Sequence, residues 1–219
     1  MKSVRERREE GAAPEAPLRA RLLAAFLRRP DSATLVLADA LRGAGLLSVL
    51  FGLLSGDPVT AAMFALVLLG LVAPRFLGVR GGFDAATGAT LLVAAWCSAL
   101  ELYVTVPIVD LPVHFALNGV LAALAVVALR SAGVVPADAG RALASLLVVT
   151  VGVTLGVLWE FGEWAGHTLI DPEIFVGYDD TIGDLLVGGL GALAAALALP
   201  WLGARQWGPL APSMAPVRR

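Results

Sequence analysis

The chain has 219 residues, 58% of them hydrophobic and only 16% charged, with a mean hydropathy of +0.81 and a formal net charge of -2. Soluble domains carry about a quarter charged residues, so this composition excludes an ordinary soluble domain and points to an all-α, polytopic membrane protein. The near-neutral total hides an asymmetry, because eight of the sixteen basic residues fall in the first 29 positions: Lys2, Arg5, Arg7, Arg8, Arg19, Arg21, Arg28 and Arg29.

This basic start (residues 1–32) is too long, and too poor in a following short apolar segment with a small-residue cleavage site, to read as a secretory signal, so it is expected to be retained on the cytoplasmic side. Within it, "PLRARLLAAFLRRP" puts Leu18, Leu22 and Phe26 on one helical face among four arginines, the pattern of an interfacial helix on an anionic membrane surface. No aromatic or polar reading elements accompany the arginines, so a nucleic-acid partner is not expected.

A membrane-spanning helix needs about 20 mostly apolar residues. Six segments qualify, at 33–56, 58–75, 84–106, 110–130, 141–168 and 181–203, giving a six-helix transmembrane domain over 33–204 and a cytoplasmic tail over 205–219. "SGDPV" marks a tight turn between the first two, and the second is short enough to suggest tilt or partial re-entry. Arg75 and Arg80 follow the second span, Arg130 and Arg141 flank the fourth connection, and Arg205, Arg218 and Arg219 end the chain, whereas the other connections carry no Lys or Arg. The alternation obeys the positive-inside rule and puts both termini in the cytoplasm. Tyr103, Trp159, Trp164 and Tyr178 are expected to form an outer aromatic belt, with Trp201 and Trp207 on the inner side. Cys97, the single cysteine, reads as a small buried hydrophobe.

The acids fall at one depth. With a rise of about 1.5 Å per residue, His114 and Asp110 lie about 24 and 30 Å from Arg130, and Glu160 and Glu163 about 28 and 33 Å from Arg141. Asp184 and Asp180 lie about 31 and 37 Å from Arg205, and Glu101 about 31 Å from Arg80. Asp110, His114 and Asn118 are four apart and share a face, as do Asp180 and Asp184, while Glu160, Glu163 and His167 form a third stripe. Carboxylates are costly inside a membrane, so such stripes should face one another or a wet cavity, and a divalent cation, shared protons or an imidazolium would relieve their repulsion. Asp110, His114, Glu160, Glu163, Asp180 and Asp184 are therefore the candidate ligands of a divalent metal, and oxygen donors with one imidazole suit Mg, Mn, Fe or Zn alike. The plainer reading is that acids near a span end simply meet water. It fits Glu101, Asp171, Glu173 and Asp179 best, and Asp110 reads equally well as an N-cap ahead of Pro112. Asp39 and Arg42, three apart in the first span, read as an intrahelical ion pair. Gly188, Gly189 and Gly191 read as close-packing positions rather than a phosphate loop, since lysine and a strand-to-helix context are missing.

Three segments, "DLPVHFALNG", "LWEFGEW" and "DTIGDLLVGGLGA", resemble the signature of bacterial YjdF-like inner-membrane proteins and, more loosely, of VanZ-like proteins. The matching positions are Asp110, His114 and Phe115; Trp159, Glu160, Glu163 and Trp164; and Asp180, Thr181, Asp184, Gly191 and Ala192. The resemblance covers about residues 84 to 203; it implies a site at these positions in the bacterial cytoplasmic membrane but supplies no reaction. Three functions follow from the residues. The first is a metal-dependent enzyme acting on an envelope lipid or lipid-linked substrate, with Glu160 or Glu163 as general base and His114 as ligand or proton shuttle. The second is a cation- or proton-coupled transporter using the same acids. The third is a non-enzymatic membrane factor whose polar cluster locks helices together or binds a partner.

Overall fold

A computed structural model describes residues 17–136, 139–170, 172 and 174–202, and all regular structure among them is helical. In chain order the elements are α1 (Leu18–Leu27), α2 (Ala33–Ser55), α3 (Pro58–Leu77), α4 (Gly81–Ala99), the one-turn α5 (Leu102–Thr105), α6 (Asp110–Ser131), α7 (Arg141–Leu169) and α8 (Tyr178–Leu202), with a 3-10 turn over Pro107–Val109 before α6. Lys2, Arg5, Arg7 and Arg8, Asp171, Glu173, Trp207 and the C-terminal arginines lie outside the described residues.

Local chemistry sets the helix ends. The Ser32 hydroxyl caps α2 by accepting the Leu35 N–H, and Gly56 stops it in the left-handed region at φ 76°. Asp57 then accepts the Val59 N–H at 2.9 Å, and Pro58 takes the first position of α3, where no N–H is needed. The Thr60 hydroxyl and the Val59 N–H hold the exposed Asp57 carboxyl below the usual carboxylate range. After this turn α3 runs for 20 residues, longer than the expected 58–75.

Among the described residues five helices, α2, α3, α6, α7 and α8, are long and apolar enough to cross a membrane. The expected span over 84–106 is instead divided. Its helix, α4, ends at Ala99, and Glu101 turns the chain with φ 56° before α5. Asp84, Thr87, Thr90 and three glycines fall within its 19 residues, and α4 is not among the five. It nevertheless runs alongside α2 in parallel register: Gly81 sits against Thr34 and Leu35 at one end, and the Trp96 indole donates to the Ser48 hydroxyl at 3.1 Å towards the other. Tyr103 is half-buried, and its hydroxyl donates to the Ala94 carbonyl at 3.1 Å, folding it back onto α4. Trp159, Trp164 and Tyr178 are exposed, as is Trp201. Cys97 is buried.

The helices form two units. In the first, α2, α3 and α4 enclose Phe64, and the half-buried Trp96 packs against it and against the exposed Phe51, with ring centroids 5.1 and 5.2 Å away. In the second, α6 packs extensively on α8, and α7 on both. The main core (Val126, Val127, Ala144, Val148, Ala196 and Leu199 among others) lies towards the end carrying Arg130 and Arg141. Lipid tails are as apolar as leucine, so close backbone approach, rather than removal from water, holds such helices together. The approach is close here: a Cβ at Gly119 would lie 2.8 Å from the Gly191 carbonyl oxygen, and one at Gly152 would overlap the Ala192 methyl.

The Asp39–Arg42 pair exists, with Nη1 to Oδ1 at 2.8 Å, but it belongs to a larger network. Arg42 also grips Asp84, which is 2% exposed, and Arg75 approaches Asp39 at 3.5 Å. Arg75, 6% exposed inside α3, further donates to the Phe26 and Arg28 carbonyls of α1 and its following link. Phe26 stacks on Phe76 at 4.4 Å, and Arg21 donates to the Ser131 carbonyl at 2.8 Å. The expected apolar face of α1 is thus partly spent on protein, since Phe26 and Ala25 dock on the bundle while Leu18, Leu23 and Leu27 remain exposed.

Candidate functional site

The acidic end of the second unit is assembled by helix register. Asp110 does not cap α6; the preceding 3-10 turn brings it inside the first helical turn, where its carboxylate faces His114 one turn on, 3.4 Å from Nε2. The same Nε2 lies 3.9 Å from Asp184 Oδ2 on α8. Ligand atoms of Asp110, His114 and Asp184 all lie within 4.8 Å of one another. Of the six residues expected to share a site, these three are brought together.

Burial is deep. Asp184 is 2% exposed and His114 7%, and neither carboxylate oxygen of Asp184 has a hydrogen-bond partner among the described residues. Removing an ionised carboxylate from water without a partner costs several kcal/mol, so Asp184 requires a cation or a proton. Donors about 2.1 Å from one ion lie about 3.0–4.2 Å apart, and the two separations measured from His114, 3.4 and 3.9 Å, fall within that span. Two carboxylates and one imidazole are a donor set that could hold a divalent cation with open positions.

The other expected residues surround this group. Glu160 and Glu163 on α7 are half-buried; Glu163 accepts the Trp159 indole N–H at 2.9 Å, whereas Glu160 keeps a buried oxygen with no hydrogen-bond partner. Glu160 lies in electrostatic range of Asp184, and Asp180, one turn above Asp184, in range of Asp110 and His114. The Trp159 ring meets His114 edge-on at 6.2 Å and closes the α7 side. His167 is turned away from the group, its Nδ1–H donating to the Ile174 carbonyl at 2.6 Å. Glu101 and Asp179 are exposed.

Below the acids the helices close. Asn118, 7% exposed, lies one turn under His114, and one end of its carboxamide rests on Gly188 and Gly156, 3.4 Å from the position of a Cβ at Gly156. One turn deeper, Ala122, Gly152 and Ala192 meet, with a Cβ at Gly152 only 3.3 Å from that of Ala122. The three helices thus stack in layers four residues apart: Asp110 with Asp180; His114, Glu160 and Asp184; Asn118, Gly156 and Gly188; then Ala122, Gly152 and Ala192. The site is a polar well sealed below by small side chains. The sequence pairs Asn118 with His114 on one face, but the roles of Gly156 and Gly188 depend on the neighbouring helices and carry no local signal.

The chain belongs to a family described as "Predicted membrane protein (DUF2238)", whose model matches residues 40–205. The match includes all three segments of the well and extends over the first two long helices, beyond the reach of the resemblance seen in the sequence. No curated protein and no solved structure matches the chain.

Proposed function

We propose that this membrane protein holds a divalent metal at Asp110, His114 and Asp184 and uses it on an envelope lipid or lipid-linked substrate. The observation that carries the proposal is Asp184: a carboxylate almost fully buried, facing an imidazole and a second carboxylate, with neither oxygen hydrogen-bonded. The cation would neutralise the cluster, lower the pKa of a bound water and polarise a phosphoryl or carbonyl oxygen. Glu160 or Glu163 would take the proton, Asp180 would guard the mouth, and His114 would serve as ligand. The resemblance to YjdF-like and VanZ-like proteins supports the same positions. Counting α4 as a sixth crossing, with both termini inside, the arginine distribution turns the well outward from the bacterial cytoplasmic membrane. Around its mouth Trp159, Trp164, Phe175 and Tyr178 are exposed, which suits an amphiphile whose chains stay in lipid while its head enters the well.

Transport is the weaker reading. The charges at the other end, Asp39, Arg42, Arg75 and Asp84, pair with one another, and within the second unit the layer of Ala122, Gly152 and Ala192 closes the well with apolar side chains. The test is the metal content of the detergent-purified chain, native and with His114→Ala or Asp184→Asn. One equivalent of metal, lost in both variants while the fold persists, is expected. A folded native protein that takes up no divalent metal would make the cluster a helix lock and remove the enzymatic reading.

A further inference from the structure

The charge around the well narrows the head group it admits. No lysine or arginine occurs between Arg80 and Arg130 or between Arg141 and Arg205, so the arginines of α6 and α7 sit at the ends of those helices opposite the well. Carboxylates meet there instead: Asp110 and Asp184 lie 3.4 and 3.9 Å from His114, with Glu160, Glu163 and Asp180 in electrostatic range of this group. A divalent ion on Asp110, His114 and Asp184 balances two of these five charges. The surplus repels an entering phosphomonoester or carboxylate and attracts a cation. Hydrogen bonding points the same way. Asp184 is 2% exposed with neither oxygen partnered, and Glu160 keeps one buried oxygen in the same condition. Apart from His114, the Trp159 indole is the side-chain donor that the described residues offer this group, and it serves Glu163. Acceptors therefore outnumber donors. A primary ammonium brings three N–H donors with its charge, whereas a quaternary ammonium and an ionised phosphate bring none.

We infer that the lipid head group taken into the well carries a primary ammonium, as in an ethanolamine-headed or aminoacylated lipid, and that the well's surplus carboxylates receive it. Glu163 and Asp180, which are not among the three grouped ligands, are then specificity-determining residues that select an amine-bearing head over a net-anionic one. The Trp159 ring, hydrogen-bonded to Glu163 and 46% exposed, adds an aromatic surface beside them, and an indole face attracts ammonium.

This inference rests on the reading of the well as a lipid-head site, and the experiment lets it fail apart from the metal. The intact chain in detergent, stripped with chelator or loaded with Mn2+, is titrated calorimetrically with dihexanoyl phosphatidylethanolamine, its choline and glycerol counterparts, and free ethanolamine. The ethanolamine lipid is expected to bind about tenfold or more tighter than the glycerol lipid in both states, and tighter than the choline lipid and free ethanolamine. Glu163→Gln and Asp180→Asn conserve volume and together should bring the ethanolamine and glycerol lipids to within about threefold of each other, whereas misfolding would weaken both alike. Equal or tighter binding of the glycerol or choline lipid by the native chain, an unchanged preference in the double variant, or no binding of any of these lipids would overturn this inference while leaving a metal site standing. Free ethanolamine binding as tightly as the lipid would overturn the lipid source and assign the ammonium to a soluble amine. Preference for the ethanolamine lipid in a folded chain that takes up no metal would sustain this inference and overturn the metal.

Discussion

Replacing Gly191 with alanine should destabilise the protein and open the well at once. A Cβ at Gly191 would lie 2.7 Å from the Phe115 carbonyl carbon and closer to its oxygen. Carbon atoms pack at about 3.5 Å, so α6 and α8 would have to part by about 1 Å, and backbone atoms cannot rotate away. Alanine in place of glycine gains about 1 kcal/mol of helix propensity, and overpacking costs about 1–3 kcal/mol or more when the obstacle is rigid, so a net loss of about 2 kcal/mol is expected. Because Phe115 adjoins His114, the same movement widens the 3.9 Å gap between His114 and Asp184, and metal affinity should fall about tenfold. Gly189→Ala is the control: its Cβ would meet Val153 at an ordinary 3.8 Å, and stability should stay within about 0.5 kcal/mol of native. Thermal unfolding in detergent, followed by circular dichroism and paired with Mn2+ titration, measures both effects. Equal melting temperatures for the two variants would refute the claim that backbone contact at Gly191 holds the site together.

Asp84→Ala leaves Arg42 with only the partly exposed Asp39, and should cost about 3–5 kcal/mol in the same melting assay, with Asp84→Asn costing less because one hydrogen bond survives. Arg75→Ala removes the two donors that hold the α1 link, so hydrogen exchange over residues 18–29 should speed up while α6, α7 and α8 stay protected. The proposed orientation predicts that Val176→Cys reacts with an impermeant maleimide in intact cells and Ala132→Cys only after permeabilisation; Cys97 is buried and gives little background.

Much of the fold could be read from hydropathy and punctuation. Ser32, Gly56, Asp57 and Pro58 mark the first hairpin, and the helices over 110–131, 141–169 and 178–202 begin and end within three residues of their expected limits. The division at Leu100 and Glu101 has no Gly or Pro to announce it, and depends on the left-handed turn at Glu101 and the Tyr103–Ala94 bond. Long-range charge pairing was equally hidden. Asp39 and Arg42 are legible as neighbours, but Arg75 and Asp84 join them only because α3 and α4 fold alongside α2. In the site, four-residue spacing fixed each polar stripe, whereas helix rotation decided that Asp110, His114 and Asp184 meet at ligand distance while Glu163 turns to Trp159.

The central claim is a metal ion between α6 and α8. A crystal or electron cryo-microscopy structure of the Mn2+-loaded chain, with anomalous scattering in the former case, tests it most directly. The account predicts one ion about 2.1–2.2 Å from Asp110, His114 and Asp184. Density for the three side chains hydrogen-bonded to one another at saturating Mn2+, with no ion among them, would contradict it.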